Sequence, residues 1–119
     1  MIKKNRFKAA LDGLVAVFQS ERNFKVHVFI FFLVLLFGFF FQIKTWEWVV
    51  VLFSSAMVFS AEMFNTAIEN TCDYIEPKMD PKIGRIKDIS AAAVLTCALI
   101  SAVIGLLVFM PYCVRLLCD

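Results

Sequence analysis

Three carboxylates and one amide at helical spacing are the first sign of chemistry in this sequence. Glu62, Asn65, Glu69 and Asp73 are separated by 3, 4 and 4 residues. At about 100° per residue that spacing puts them on one stripe of an α-helix. Three carboxylates on one stripe repel each other, and a divalent cation held through oxygen ligands would relieve that repulsion. The preceding residues 49–61 are uncharged and apolar. They reach the roughly 20 residues needed to cross a bilayer only if the helix runs on through Glu62, Asn65 and Glu69. The acids then sit at or inside one membrane interface, where a charged group costs at least ~2.5–3.5 kcal/mol without a partner or a water-filled cavity. The plain alternative is a helix that leaves the membrane at Glu62 with its acids solvated.

Two further groups belong to the same interface. Glu21 lies in Ser20-Glu21-Arg22-Asn23-Phe24, just before another apolar run, and Lys87-Asp88 opens a third. An acid at a helix start can be merely a dipole-favoured cap, and a Lys there merely a cation that sets topology. A Lys can also reach phosphate oxygens, which a stripe of carboxylates cannot do unaided. Acids for Mg²⁺, a Lys for phosphate and Glu62 deeper toward the lipid make up the set needed for phosphoryl transfer to a lipid hydroxyl. Such transfer depends on positioning and charge neutralisation, with Glu62 as the group to take the hydroxyl proton. No GxxxxGK[ST] loop or Gly-rich kinase loop is present, so a conventional nucleotide fold is not expected. The same acids could instead line an ion path, or be interfacial charges of a small structural subunit.

The elements that must position these residues are helical and membrane-embedded. Of 119 residues, 61% are apolar, above the roughly 45–50% of soluble domains. A soluble chain this short has too little interior to hide them. A net charge of +2 gives no reason to expect a nucleic-acid partner. The four Cys form no CxxC pair and His27 is the only histidine, so zinc-type spacing is absent. The Cys are expected as packing residues, and Cys113 and Cys118 could pair on an oxidising face. Phe7, Leu11, Leu14 and Phe18 recur at helical spacing, predicting an amphipathic surface helix over 5–20. Membrane helices are predicted at about 26–43, 48–72 and 89–111, with Trp46 and Trp48 in an interfacial belt and no cleavable signal peptide before them. Residues 74–88 read as a loop, with Pro77 and Pro81 as breakers and Gly84 as a flexible point. The fold class is therefore all-α and integral to the membrane, a single domain over 1–119. Lys3, Lys4, Arg6, Lys8, Arg22 and Lys25 precede the first span, and Lys78, Lys82, Arg85 and Lys87 separate the second from the third. Only Lys44 and Arg115 fall on the other side. By the positive-inside rule the N-terminus and the acidic site are cytoplasmic.

At these residues the chain resembles the prokaryotic diacylglycerol kinase family of small membrane kinases, from about residue 6 to residue 110. The resemblance is carried by Glu21-Arg22-Asn23-Phe24 with His27, by Glu47-Trp48, by Glu62 with Asn65-Thr66-Ala67-Ile68-Glu69 and Asp73, and by Lys87-Asp88 with residues 91–94. It implies a three-span homotrimer with shared active sites in the bacterial inner (cytoplasmic) membrane, and ATP as phosphoryl donor. It implies Glu62 as catalytic base, Glu21 and Glu69 as holders of the Mg²⁺ of MgATP, Lys87 and Asp88 beside the nucleotide, and Asn65 and Asp73 in support. The Glu-Arg-Asn-Phe and His27 pattern is similar to the Gram-positive branch of undecaprenol kinases. That implies undecaprenol as acceptor, with diacylglycerol as the alternative.

Overall fold

The computed structural model describes residues 5–119; Lys3 and Lys4 lie outside them. Four helices follow one another: α1 (Arg6–Ser20), α2 (Arg22–Phe41), α3 (Thr45–Ile75) and α4 (Pro81–Cys118). The last three are long and apolar enough to cross a membrane.

Local chemistry sets each boundary. The Asn5 side chain caps α1 by accepting from the Phe7 N–H at 2.9 Å. At Glu21 the backbone turns extended, ending α1 and starting α2 within one residue. Gln42 takes the left-handed conformation (φ 52°) that closes α2. The N-terminus of α3 is held by the Glu47 carboxylate, which accepts from the Lys44 N–H at 2.9 Å. Asp80 caps α4 through the N–H groups of Lys82 and Ile83, and Pro81 occupies the first helical position.

That last cap corrects the loop expected over 74–88. Asp80-Pro81 starts a helix instead of breaking one, so the connection shrinks to residues 76–80 and Gly84 lies inside α4. Both α3 and α4 also extend beyond the expected membrane segments. At 1.5 Å per residue, α3 is roughly 46 Å long and α4 roughly 57 Å, more than a ~30 Å hydrocarbon core requires. The excess carries the polar residues out of the membrane on helical supports.

α3 and α4 form the most extensive pairing, with α2 against α3 and α1 against both α2 and α3. Near the start of α3, Ile43, Val51 and Val108 are buried, with Phe41, Trp48 and Tyr112 around them. Trp48 is no free belt residue: its indole lies against Gly38 of α2, where any Cβ would collide with it. Trp46 is exposed, as a belt residue would be. Many large apolar side chains on α2, α3 and α4 point outward, among them Phe29, Phe39, Phe53 and Leu107. Lipid is the solvent that removes their cost. All four Cys are free thiols.

Candidate active site

The site is built around Glu62. It stands on α3 and is 3% exposed, so its carboxylate has left water. One turn earlier, Phe59 is gripped by two rings of α2, Phe24 at 5.5 Å and Phe31 at 5.4 Å between centroids. Phe24 also meets Phe18 of α1 edge-on. These aromatic contacts fix the corner between α1 and α2 against α3. The corner residue is Glu21, and its charge is felt at Glu62, as is that of Glu69.

Glu69 lies two turns, or about 10 Å, along α3 from Glu62. Asn65 stands between them and donates from Nδ2 to Glu69 Oε1 at 3.2 Å. The other end of that amide, Asn65 Oδ1, is buried with no hydrogen-bond partner. An orphaned acceptor among carboxylates is costly unless a donor or cation arrives. Thr66 returns its hydroxyl to the Glu62 carbonyl at 2.9 Å and holds no carboxylate. Farther along, Asp73 accepts from Lys87 of α4, and the Lys87 ammonium also feels Glu69. The structure thus strings Glu62, Asn65 and Glu69 along α3, with the charge of Glu21 reaching Glu62 and the Asp73–Lys87 pair adjoining. Asp88 is exposed and makes no hydrogen bond or ion pair among the described residues.

Among the described residues no three His, Cys, Asp or Glu side chains meet closely enough to enclose a metal ion. Two carboxylates and an unpaired amide oxygen nevertheless suit Mg²⁺, which commonly takes one or two carboxylates and completes its shell with phosphates and water. Glu69 and the Asn65 acceptor, neighbours on α3, could supply part of such a shell.

One participant has no chemical role in the sequence reading. His27 Nε2 lies 3.1 Å from Glu62 Oε1, bridging α2 and α3. The available signal was that His27 is the only ionisable side chain between Lys25 and Lys44, inside an apolar run. At the other end of α3, Glu47 is equally buried (6% exposed) and accepts from the Tyr112 hydroxyl of α4. Arg115 lies 5.6 Å over the Tyr112 ring. That cluster ties helix ends together far from the acids.

A groove of about 580 Å³ opens beside the site. Leu14 and Phe18 of α1, Phe24 and Val28 of α2, and Phe59 of α3 line it. It offers apolar walls within one turn of Glu62.

Comparisons with known proteins agree in direction. The sequence model of the family described as prokaryotic diacylglycerol kinase matches residues 8–109. The chain is 39% identical over 105 residues to an undecaprenol kinase of Bacillus subtilis, covering 88% of this chain and 85% of the relative. It is 28% identical over 107 residues to a diacylglycerol kinase of Haemophilus influenzae, covering 88% and 91%. With a diacylglycerol kinase of Synechocystis it shares 27% over 106 residues, 88% of this chain and 61% of the relative.

Proposed function

The chain belongs to the prokaryotic diacylglycerol kinase family, and from that premise we propose that it transfers the γ-phosphate of MgATP to the hydroxyl of undecaprenol, giving undecaprenyl phosphate. The chain is a membrane lipid kinase, which sets aside the ion-path and structural-subunit readings. The observation that carries the mechanism is Glu62: a carboxylate 3% exposed on a membrane helix, within the field of Glu21 and Glu69 and one turn from Phe59, which lines an apolar groove. The choice of acceptor is supported by 39% identity to an undecaprenol kinase, against 27–28% to the diacylglycerol kinases.

The chemistry follows from the placement. The lipid hydroxyl approaches Glu62 from the apolar side, and its tail lies in hydrocarbon. Glu62 takes the hydroxyl proton as the lipid oxygen bonds to the γ-phosphorus and the bridging oxygen departs with ADP. Glu21 and Glu69 would hold magnesium, with the Asn65 oxygen in reserve. When bound, the ion neutralises charge on the phosphates. Lys87, kept near the acids by Asp73, supplies positive charge for the nucleotide. Asp88 is assigned to the nucleotide side with it. The enzyme works as a homotrimer in the inner membrane, its site facing the cytoplasm, in keeping with the Lys and Arg distribution.

Transfer of labelled γ-phosphate by purified protein in micelles tests this reading, with undecaprenol and diacylglycerol assayed separately. Preferential labelling of undecaprenol is expected. Preferential labelling of diacylglycerol keeps the mechanism and replaces the acceptor.

A further inference from the structure

We propose that His27 is a positioning residue for phosphoryl transfer: through Nε2 it holds one oxygen of the Glu62 carboxylate, leaving the second free to take the proton of the lipid hydroxyl. The proposal rests on the reading of Glu62 as proton acceptor and adds to it the group that aims the acceptor.

The Glu62 carboxylate is buried, and among the described residues the one side chain paired with it is His27, whose Nε2 lies 3.1 Å from Oε1. A buried carboxylate with no partner would be severely penalised. Here the nearest other charges, Glu21 and Glu69, repel it. Without His27 the side chain would have reason to turn away from both acids, and a misplacement of about 1 Å can cost a transfer reaction about 10²-fold. With His27 in place, one oxygen is fixed from α2 while the helix backbone is fixed on α3.

The contact is not needed to hold the helices together. Phe24 and Phe31 already clamp Phe59 one turn away. Two serine side chains share a recess with the imidazole. The recess, of about 40 Å³, is lined by Ser55 and Ser101 as well as by Ile30, Phe31, Val58 and Phe59, room enough for a water molecule. The His27 side chain keeps 23% of its surface accessible, so it is not sealed in with its partner.

Four variants in micelles, assayed with MgATP and undecaprenol, separate the readings. Glu62→Gln is the reference and is expected to be silent. His27→Phe keeps the ring and removes the donor. Its kcat should fall about 10²-fold with KM for MgATP unchanged. His27→Gln places an amide donor at the reach of Nε2 and should recover kcat to within about tenfold of the parent. His27→Asn has the same amide one bond short and should resemble His27→Phe, which keeps the comparison intact if the Phe variant fails to fold. Full activity of His27→Phe or His27→Asn overturns the positioning role. So does equal impairment of the Gln and Asn variants, which would leave only a packing role, or a change confined to KM. An active Glu62→Gln variant instead overturns the underlying assignment of Glu62, an outcome distinct from all of these.

Discussion

Among the described residues, Lys87 is the α4 cation bonded to the acidic face of α3, through Asp73. Its partner is exposed and its own side chain half so, which suits a residue that can exchange Asp73 for a phosphate oxygen. Lys87→Met keeps the stem and removes the charge. KM for MgATP should rise on the order of tenfold with a smaller change in kcat. An unaltered KM would take Lys87 out of nucleotide binding. Glu69 should behave differently. It is the carboxylate that Asn65 orients, and Glu69→Gln removes a charge assigned to magnesium. The Mg²⁺ concentration for half-maximal activity should increase about tenfold or more, since carboxylate charge is what binds this ion. A variant with unchanged metal dependence would assign Glu69 to the support of Asn65 alone.

Residues 62, 65, 69 and 73 were legible as a set because helical spacing is a local rule and one helix carries all four. The same rule explains why α3 runs through the acids without a break. His27 opposite Glu62 was not legible, since their meeting depends on how α2 lies against α3, and no spacing within either helix encodes it. Asp80-Pro81 was misread for another reason. A Pro ends a helix from within but suits the first position of a new one, and the preceding Asp supplies the cap. Both signals were in the sequence, and the capping residue should have decided between them.

Between elements, the close approach of α2 and α3 depends on Gly38. Trp48 fills the space where a side chain would be, and Phe39 packs on the same indole at 5.0 Å. Gly38→Leu should therefore cost about 1–3 kcal/mol by overpacking, read as a lower temperature of unfolding in micelles. An unchanged unfolding temperature would mean that the two helices part there without penalty. At that same end Glu47 joins the start of α3 to Tyr112 on α4. Both contacts lie at the opposite end of the bundle from Glu69. Loss of stability at Gly38 should accordingly leave KM for MgATP unaltered in the folded fraction.

For the molecule as a whole, three membrane helices put the 76–80 connection and the C-terminus on opposite sides of the bilayer. Lys78, Lys82, Arg85 and Lys87 cluster around the connection, against Lys44 and Arg115 at the other end of the bundle. That charge asymmetry is the one a cytoplasmic connection and acidic site, as proposed for the kinase, require under the positive-inside rule. Two positions make this testable. Met79 is fully exposed at the connection, and Cys118 is an exposed free thiol at the end of α4. In intact spheroplasts a membrane-impermeant maleimide should label Cys118 in the parent protein. In a Met79→Cys, Cys118→Ser variant, labelling at position 79 should appear only after the membrane is opened. The reverse pattern would place the acids outside, away from cytoplasmic ATP. Such a result would contradict the kinase mechanism at the level of topology, whatever the geometry around Glu62.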